Sequence, residues 1–289
     1  MRIQLIGSCN SYGLTWPNLQ FEKMAEAGFR NVEILCGQYR MHCFVPEVMV
    51  DEPWYGSWRV SIADLKTLLH QLGLNPIYLL CECDFLGPFG QELVKRRVDF
   101  AVKLGATLLG IGQPPKSTPG SVHGLVRSIQ RLADYAAERN VTLLIESLCW
   151  VFRNAETSNA MLSRIRRPNV KIMYNLAHAL AKNDGIKPED EVVALGGNLG
   201  GLFLKDFGGS KPGGRAPYGD TNYNWDFPPL GDGLVDFPAV FERLKDFPGD
   251  LPCVLQLEGG PHNEGYSLDD YQRDVRKALA YLRSIGVEF

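Results

Sequence analysis

The sequence predicts an α/β protein built as a single closed (β/α)8 barrel. Eight short apolar, β-branched runs recur along the chain, at Ile3–Gly7, 31–36, 76–82, 108–112, 142–147, 170–175, 202–206 and 253–258, and a helical pattern separates each from the next. Alternating strand and helix signals indicate parallel βαβ units. Eight such units in 289 residues match the count and length of a closed barrel. Several of the later runs are almost continuously apolar, as in Leu143-Leu144-Ile145, which is how strands buried on both faces read. The rhythm continues unbroken into the last helix, so residues 1–289 are read as one domain.

Each helix has its own signals. Ser61-x-x-Asp64 precedes Leu65, Leu68, Leu69 and Leu72 on one helical face, and Gly73 stops the helix. Leu93, Val94, Val98, Ala101, Val102 and Leu104 mark the helix before the fourth strand, and Leu125, Ile129, Leu132, Tyr135 and Ala136 the one before the fifth. Gly196-Gly197-Asn198-Leu199-Gly200-Gly201 looks like a phosphate loop. It lies between a helix and the next strand, however, whereas a phosphate loop follows a strand and opens a helix, so it is read as a helix terminator. Ser267-x-x-Asp270 opens the last helix, Val275, Leu279 and Leu282 form its apolar stripe, and Gly286 ends it.

Two connections, at about 37–60 and 207–234, are too long for ordinary turns. Both follow strands and so belong to the face where barrels of this kind build their active sites. Trp54 in the first and Trp225 in the second are expected to wall a substrate or close over it. The second also holds Lys211 and Arg215.

Composition excludes several classes. The formal charge of −3 gives no electrostatic footprint for a nucleic acid. No stretch approaches the roughly 18 apolar residues of a membrane span. Met1-Arg2 leads directly into a strand with no secretory signal pattern, and the seven cysteines show no zinc-type spacing. The expectation is a cytoplasmic protein with reduced thiols. Exposed aromatic loops are compatible with a homodimer.

The chemistry is sought at the C-terminal strand ends, where Glu33, Glu82, Glu146, Asn175, Lys205, Asp206 and Glu258 stand. Glu146 and Glu258 each close a strongly apolar run, and a carboxylate there must be paired, metal-bound or functional, because a lone buried one is costly. Two such carboxylates at one mouth can hold a divalent cation or act as an acid/base pair on opposite faces of a substrate carbon. Asn175 brings a carbonyl oxygen without charge, and His178 follows it by three residues. Strand alternation puts Lys205 on the same face as Phe203, and Asp206 with Leu204.

Asn31-Val32-Glu33, Leu143-Leu144-Ile145-Glu146, Tyr174-Asn175-Leu176-Ala177-His178, Leu204-Lys205-Asp206 and Pro229-Leu230-Gly231-Asp232-Gly233-Leu234-Val235-Asp236-Phe237 occur in that order. In order and spacing they resemble the sugar phosphate isomerase/epimerase family of the xylose-isomerase-like TIM barrels, over almost the whole chain. The resemblance implies one divalent metal, Mn²⁺, Mg²⁺ or Co²⁺, held by Glu, Asp, His and Glu from strands five to eight. Glu146 and Glu258 match the two Glu positions, Asn175 stands at the Asp position and Phe203 at the His position. The set left to hold a weak metal is Glu146, Asn175 and Glu258, helped by Asp206. The resemblance further implies isomerisation or epimerisation of a small sugar, sugar phosphate or polyol through an enediolate, with the two Glu residues moving the proton. Without a metal, Lys205 is the best-placed cation for the developing oxyanion. His178, Arg215, Lys211, Glu33, Trp54 and Trp225 are the expected substrate contacts.

Two alternatives remain open at this point. One is a lyase that dehydrates a keto-polyol after the same proton abstraction. The other is a carbohydrate-binding barrel that has lost its metal site. A multi-zinc DNA-repair nuclease does not fit five histidines, few of them at strand ends.

Overall fold

In the computed structural model, eight parallel strands close into a barrel in the order β1-β10-β7-β6-β5-β4-β3-β2. The described residues are 1–13, 15–37, 45, 59–83, 85–112, 122–147, 150–182, 185–210, 225–257 and 266–289. The barrel strands are β1 (Ile3–Gly7), β2 (Asn31–Leu35), β3 (Asn75–Cys81), β4 (Leu108–Ile111), β5 (Thr142–Glu146), β6 (Val170–Asn175), β7 (Leu199–Leu204) and β10 (Leu251–Leu255). Helices α1 (Pro17–Ala27), α2 (Ile62–Gln71), α3 (Pro88–Leu104), α4 (Val122–Ala137), α5 (Ala155–Ile165), α6 (Leu176–Lys182), α7 (Pro188–Leu195), α8 (Phe237–Arg243) and α9 (Leu268–Ser284) fill the crossovers and the end of the chain. No helix among the described residues is long and apolar enough to cross a membrane.

The helix starts follow the capping chemistry in the sequence. Ser61 Oγ accepts the Asp64 amide at 3.0 Å, and Ser267 with Asp270 forms a reciprocal capping box. Three strands begin earlier than expected, β3 by one residue and β7 and β10 by more. β7 starts at Leu199, so Gly200 and Gly201 lie within the strand, and the 3₁₀ turn Gly196–Asn198 alone follows α7. β10 starts at Leu251, two residues before the expected 253, and covers Leu251–Leu255. A short antiparallel ribbon, β8 (Gly209–Ser210) with β9 (Trp225–Asp226), sits within the second long connection and was not anticipated.

The core has two parts. A large apolar layer packs helices against the outer face of the barrel. A smaller cluster fills the barrel itself, with Ile6, Leu35, Tyr78, Leu80, Leu144, Met173, Phe203 and Val254 meeting inside. Tyr78 and Phe203 pack edge to face there, with ring centroids 6.4 Å apart. Gly110 on β4 makes room for them, since a Cβ at that position would overlap the Tyr78 hydroxyl. The interior below the mouth is therefore packed with side chains, as in barrels of this size.

Candidate functional site

β5 delivers Glu146 as its last residue, and β6 delivers Asn175 as its last. Asn175 is the point where strand turns directly into helix α6, and its side chain works in both directions. Its Oδ1 accepts the His178 amide at 3.1 Å, which caps the helix. Because a backbone N–H can only donate, that contact fixes the amide orientation, and Nδ2 faces Glu146 Oε1 at 2.8 Å. The Asn175 amide in turn donates to Ser147 Oγ at 2.9 Å, which ties β5 to β6 just beyond the carboxylate. Glu146 is buried.

His178, on the first turn of α6, places Nδ1 3.5 Å from Glu146 Oε1 and Nε2 3.2 Å from Lys205 Nζ. With Lys205 as an ammonium, which only donates, Nε2 is the accepting nitrogen and Nδ1, on the Glu146 side, is the protonated one. Lys205 follows the end of β7 and is 1% exposed. Its Nζ lies 3.8 Å from the centroid of the Phe227 ring, a cation–π contact. Trp225 and Phe227 flank the His178 ring with centroids at 5.5 and 5.7 Å. Together Glu146, Asn175, His178, Lys205 and Trp225 form one cluster at the mouth, with Trp225 as an aromatic wall.

The electrostatics follow from this arrangement. Burial pushes the Glu146 carboxyl up, but contacts from His178, the Asn175 amide and the Lys205 charge outweigh it, and the net shift is below the usual carboxylate value. Glu146 is thus ionised at neutral pH, as a base must be. Inside the barrel the Tyr78 phenol is pushed well up, first by burial and then by the charges of Glu33, Glu146 and Glu82.

Asp206 takes a different place. It is fully buried, and alternation turns it away from Lys205. Its Oδ1 accepts the amides of Phe207 at 2.8 Å and Val235 at 3.0 Å, and its Oδ2 those of Gly231 at 2.9 Å and Gly233 at 3.0 Å. The expected auxiliary metal ligand is instead the organiser of the 229–237 turn. A Cβ on Gly233 would overlap the Asp206 carboxylate, which accounts for that glycine in the motif. Asp236 then caps α8 by accepting the Ala239 amide at 3.0 Å. Glu33, expected at the substrate, is also fully enclosed and accepts a short hydrogen bond from Ser8 Oγ, while Ser8 caps the turn after β1. Glu258, Arg215, Lys211 and Trp54 lie outside the described residues.

Among the described residues no group of three His, Cys, Asp or Glu side chains could hold a divalent metal. Asn175 presents N–H toward Glu146 in place of a lone pair, Phe203 contributes carbon only, and Asp206 is engaged by four amides. These residues do not fit the four-ligand site that the resemblance implies.

Over 209 residues the chain is 25% identical to L-ribulose 3-epimerase from Methylomonas sp. (strain DH-1); the match spans 65% of this chain and 66% of that protein, just under two thirds of its length. Among solved structures, D-allulose 3-epimerase from Methylomonas sp. in complex with D-allulose superposes with a TM-score of 0.70 at 20% identity, covering 98% of this chain and 97% of that one. A xylose isomerase-like TIM barrel protein from Mycobacterium smegmatis in complex with magnesium gives a TM-score of 0.71 at 14% identity, covering 98% and 97%. The xylose isomerase-like TIM barrel family matches residues 21–286, most of the chain. With the closed parallel barrel and its acid-ended fifth strand, this makes the chain a member of the xylose isomerase-like TIM barrel family.

Proposed function

We propose that this protein is a sugar epimerase or isomerase that acts on a small ketose by moving a proton next to the carbonyl. The single observation carrying this reading is Glu146, a buried carboxylate held ionised at the barrel mouth by His178, Asn175 and Lys205. The curated relative, an L-ribulose 3-epimerase, points to the same class. In this reading Glu146 and Glu258 are the two proton carriers. One carboxylate removes the proton α to the carbonyl, the C–H pair becomes the C=C bond of an enediolate, and the carbonyl π pair moves onto oxygen. The other carboxylic acid returns a proton to the opposite face, which inverts the centre. His178, Trp225, Arg215, Lys211 and Trp54 contact the sugar in this scheme, with Trp225 and Trp54 offering apolar faces to its C–H side. Glu33 takes the role of a support beneath them.

The test is proton exchange into L-ribulose, D-allulose and D-fructose in D₂O, followed by NMR. The reading expects exchange at the carbon next to the carbonyl, epimer or aldose formation, and loss of both in Glu146→Gln and Glu258→Gln with the fold retained. Either variant at wild-type rate removes the two-carboxylate scheme. Formation of a dehydrated product identifies a lyase with the same first step. Phe203 and Asn175, in place of metal ligands, favour a second reading, carbohydrate binding without turnover; sugar binding with no exchange is its signature.

A further inference from the structure

Three features of the mouth depart together from a metal centre, and they do so in a mutually consistent way. At the position where a second acid is expected, Asn175 turns an N–H toward Glu146 at 2.8 Å. Two carboxylates at that separation repel unless a cation lies between them, whereas an amide against a carboxylate needs none. At the position where an imidazole is expected, Phe203 joins the apolar barrel filling against Tyr78. A lysine stands there as well. Lys205 is buried to 1% exposure, placed over the Phe227 ring and donating to His178, whose other nitrogen faces Glu146.

Resting on the epimerase reading above, we propose that the Lys205 ammonium takes the place of the divalent cation, so that proton transfer at this mouth is metal-independent. As the carbonyl π pair moves onto oxygen, the enediolate oxygen is held by N–H donation from Lys205. No covalent bond to the protein forms and no redox change occurs; the proton leaves carbon for a carboxylate and returns to carbon. Phe227 and His178 set the position of the ammonium and exclude water around it, which strengthens its field at the oxyanion. The substitution of Asp by Asn is then a matched change, since a single positive charge at the mouth is balanced with one fewer negative charge.

The test combines metal analysis with exchange. Protein purified without chelator is assayed by mass spectrometry for metal, titrated with Mn²⁺ by electron paramagnetic resonance, and compared before and after EDTA for deuterium uptake by L-ribulose and D-allulose. The expected result is no stoichiometric metal, no bound Mn²⁺ signal, and unchanged exchange after EDTA. Lys205→Met is expected to lose about 10²–10³-fold in exchange rate, the size seen when one oxyanion partner is removed. Lys205→Arg, checked with it by circular dichroism for folding, keeps the charge and is expected to regain at least about tenfold over Lys205→Met. Loss of exchange on EDTA with recovery on Mn²⁺ overturns the proposal, as does Lys205→Met at wild-type rate. Covalent trapping of a ketose on Lys205 by borohydride also overturns it, because the amine would then be a nucleophile. If wild type exchanges no ketose proton, the epimerase reading fails, and the Mn²⁺ titration decides the cation question alone. Stoichiometric Mn²⁺ on wild type overturns the proposal, whereas Mn²⁺ binding that appears only in Asn175→Asp/Phe203→His/Lys205→Met upholds it.

Discussion

Asp206→Ala should be among the most destabilising single changes in this protein, although Asp206 is not placed at the pocket. Four backbone amides, from Phe207, Gly231, Gly233 and Val235, donate to its two oxygens at 2.8–3.0 Å, and the side chain is fully buried. Hydrogen bonds to a charged group contribute about 1.5–3 kcal/mol each, so a plain sum is about 6–12 kcal/mol. That sum overstates the effect, because water can enter the vacated space and the Phe207 amide is local to the substituted residue. A loss of about 3–5 kcal/mol is expected, in line with leaving buried charge partners unpaired, and it is a large part of an ordinary domain's stability. Asp206→Asn keeps one oxygen but turns an N–H toward two donors, so about 2–3 kcal/mol is expected for it. Urea unfolding followed by tryptophan fluorescence and far-UV circular dichroism measures both. A loss under about 1 kcal/mol for Asp206→Ala, less than one such hydrogen bond, refutes the organiser role and reopens Asp206 as a site residue.

The other predictions concern the same region and the barrel interior. Gly233→Ala forces a Cβ into the Asp206 carboxylate and to 2.8 Å from the Phe207 carbonyl oxygen, and should cost about 1–3 kcal/mol, read as a lowered Tm. Phe203→Ala empties the centre of the barrel beside Tyr78 and should cost about 3–5 kcal/mol by denaturant titration; a loss near zero means that the interior repacks. Glu146 should keep its charge below the usual carboxylate pKa of about 4.3, since His178, Asn175 and Lys205 together overcome the upward push of burial. Its contribution to stability is therefore complete above the unfolded value and lost as pH falls through the lower folded one. The acid limb of the exchange rate should lie below that of an ordinary carboxylate, and His178→Ala should move it up; an unmoved limb removes His178 as a support of the charge.

Much of this arrangement was legible in the sequence, and the reasons differ by residue. Glu146 stood out because a charged residue ending Leu143-Leu144-Ile145 has few structural excuses. The three-residue spacing of Asn175 and His178 is legible, but that Asn175 caps the helix by accepting the His178 amide shows only in the structure. Lys205 was placed on the Phe203 side by simple alternation, and the two do face inward. What local pattern could not show was contact across distant chain. The approach of Trp225 and Phe227 to the His178 ring depends on how the second long connection folds back, and no periodicity encodes that. The start of β7 was also hidden, because Gly200 and Gly201 are poor strand formers by propensity and are there through close packing against Lys171, Leu144, Met173 and Pro252. The amides that Asp206 accepts are hidden from the sequence for a related reason. Its four donors include three that lie more than twenty residues later, in a motif noticed only as a signature.

The clamp on Asp206 gives the second long connection a common root. The chain leaves at Phe207 and returns at Gly231–Val235, and both ends are stapled to one carboxylate, with the Leu234 amide donating to the Phe207 carbonyl at 2.8 Å as a further stitch. Between the staples the chain still meets the mouth, at Trp225 and Phe227 beside the His178 ring. A change of Trp225 or Phe227 alters what leans over His178 and Lys205 and leaves the four hydrogen bonds to Asp206 in place. Under the epimerase proposal, side chains that select among sugars can then vary from a root that one carboxylate keeps fixed.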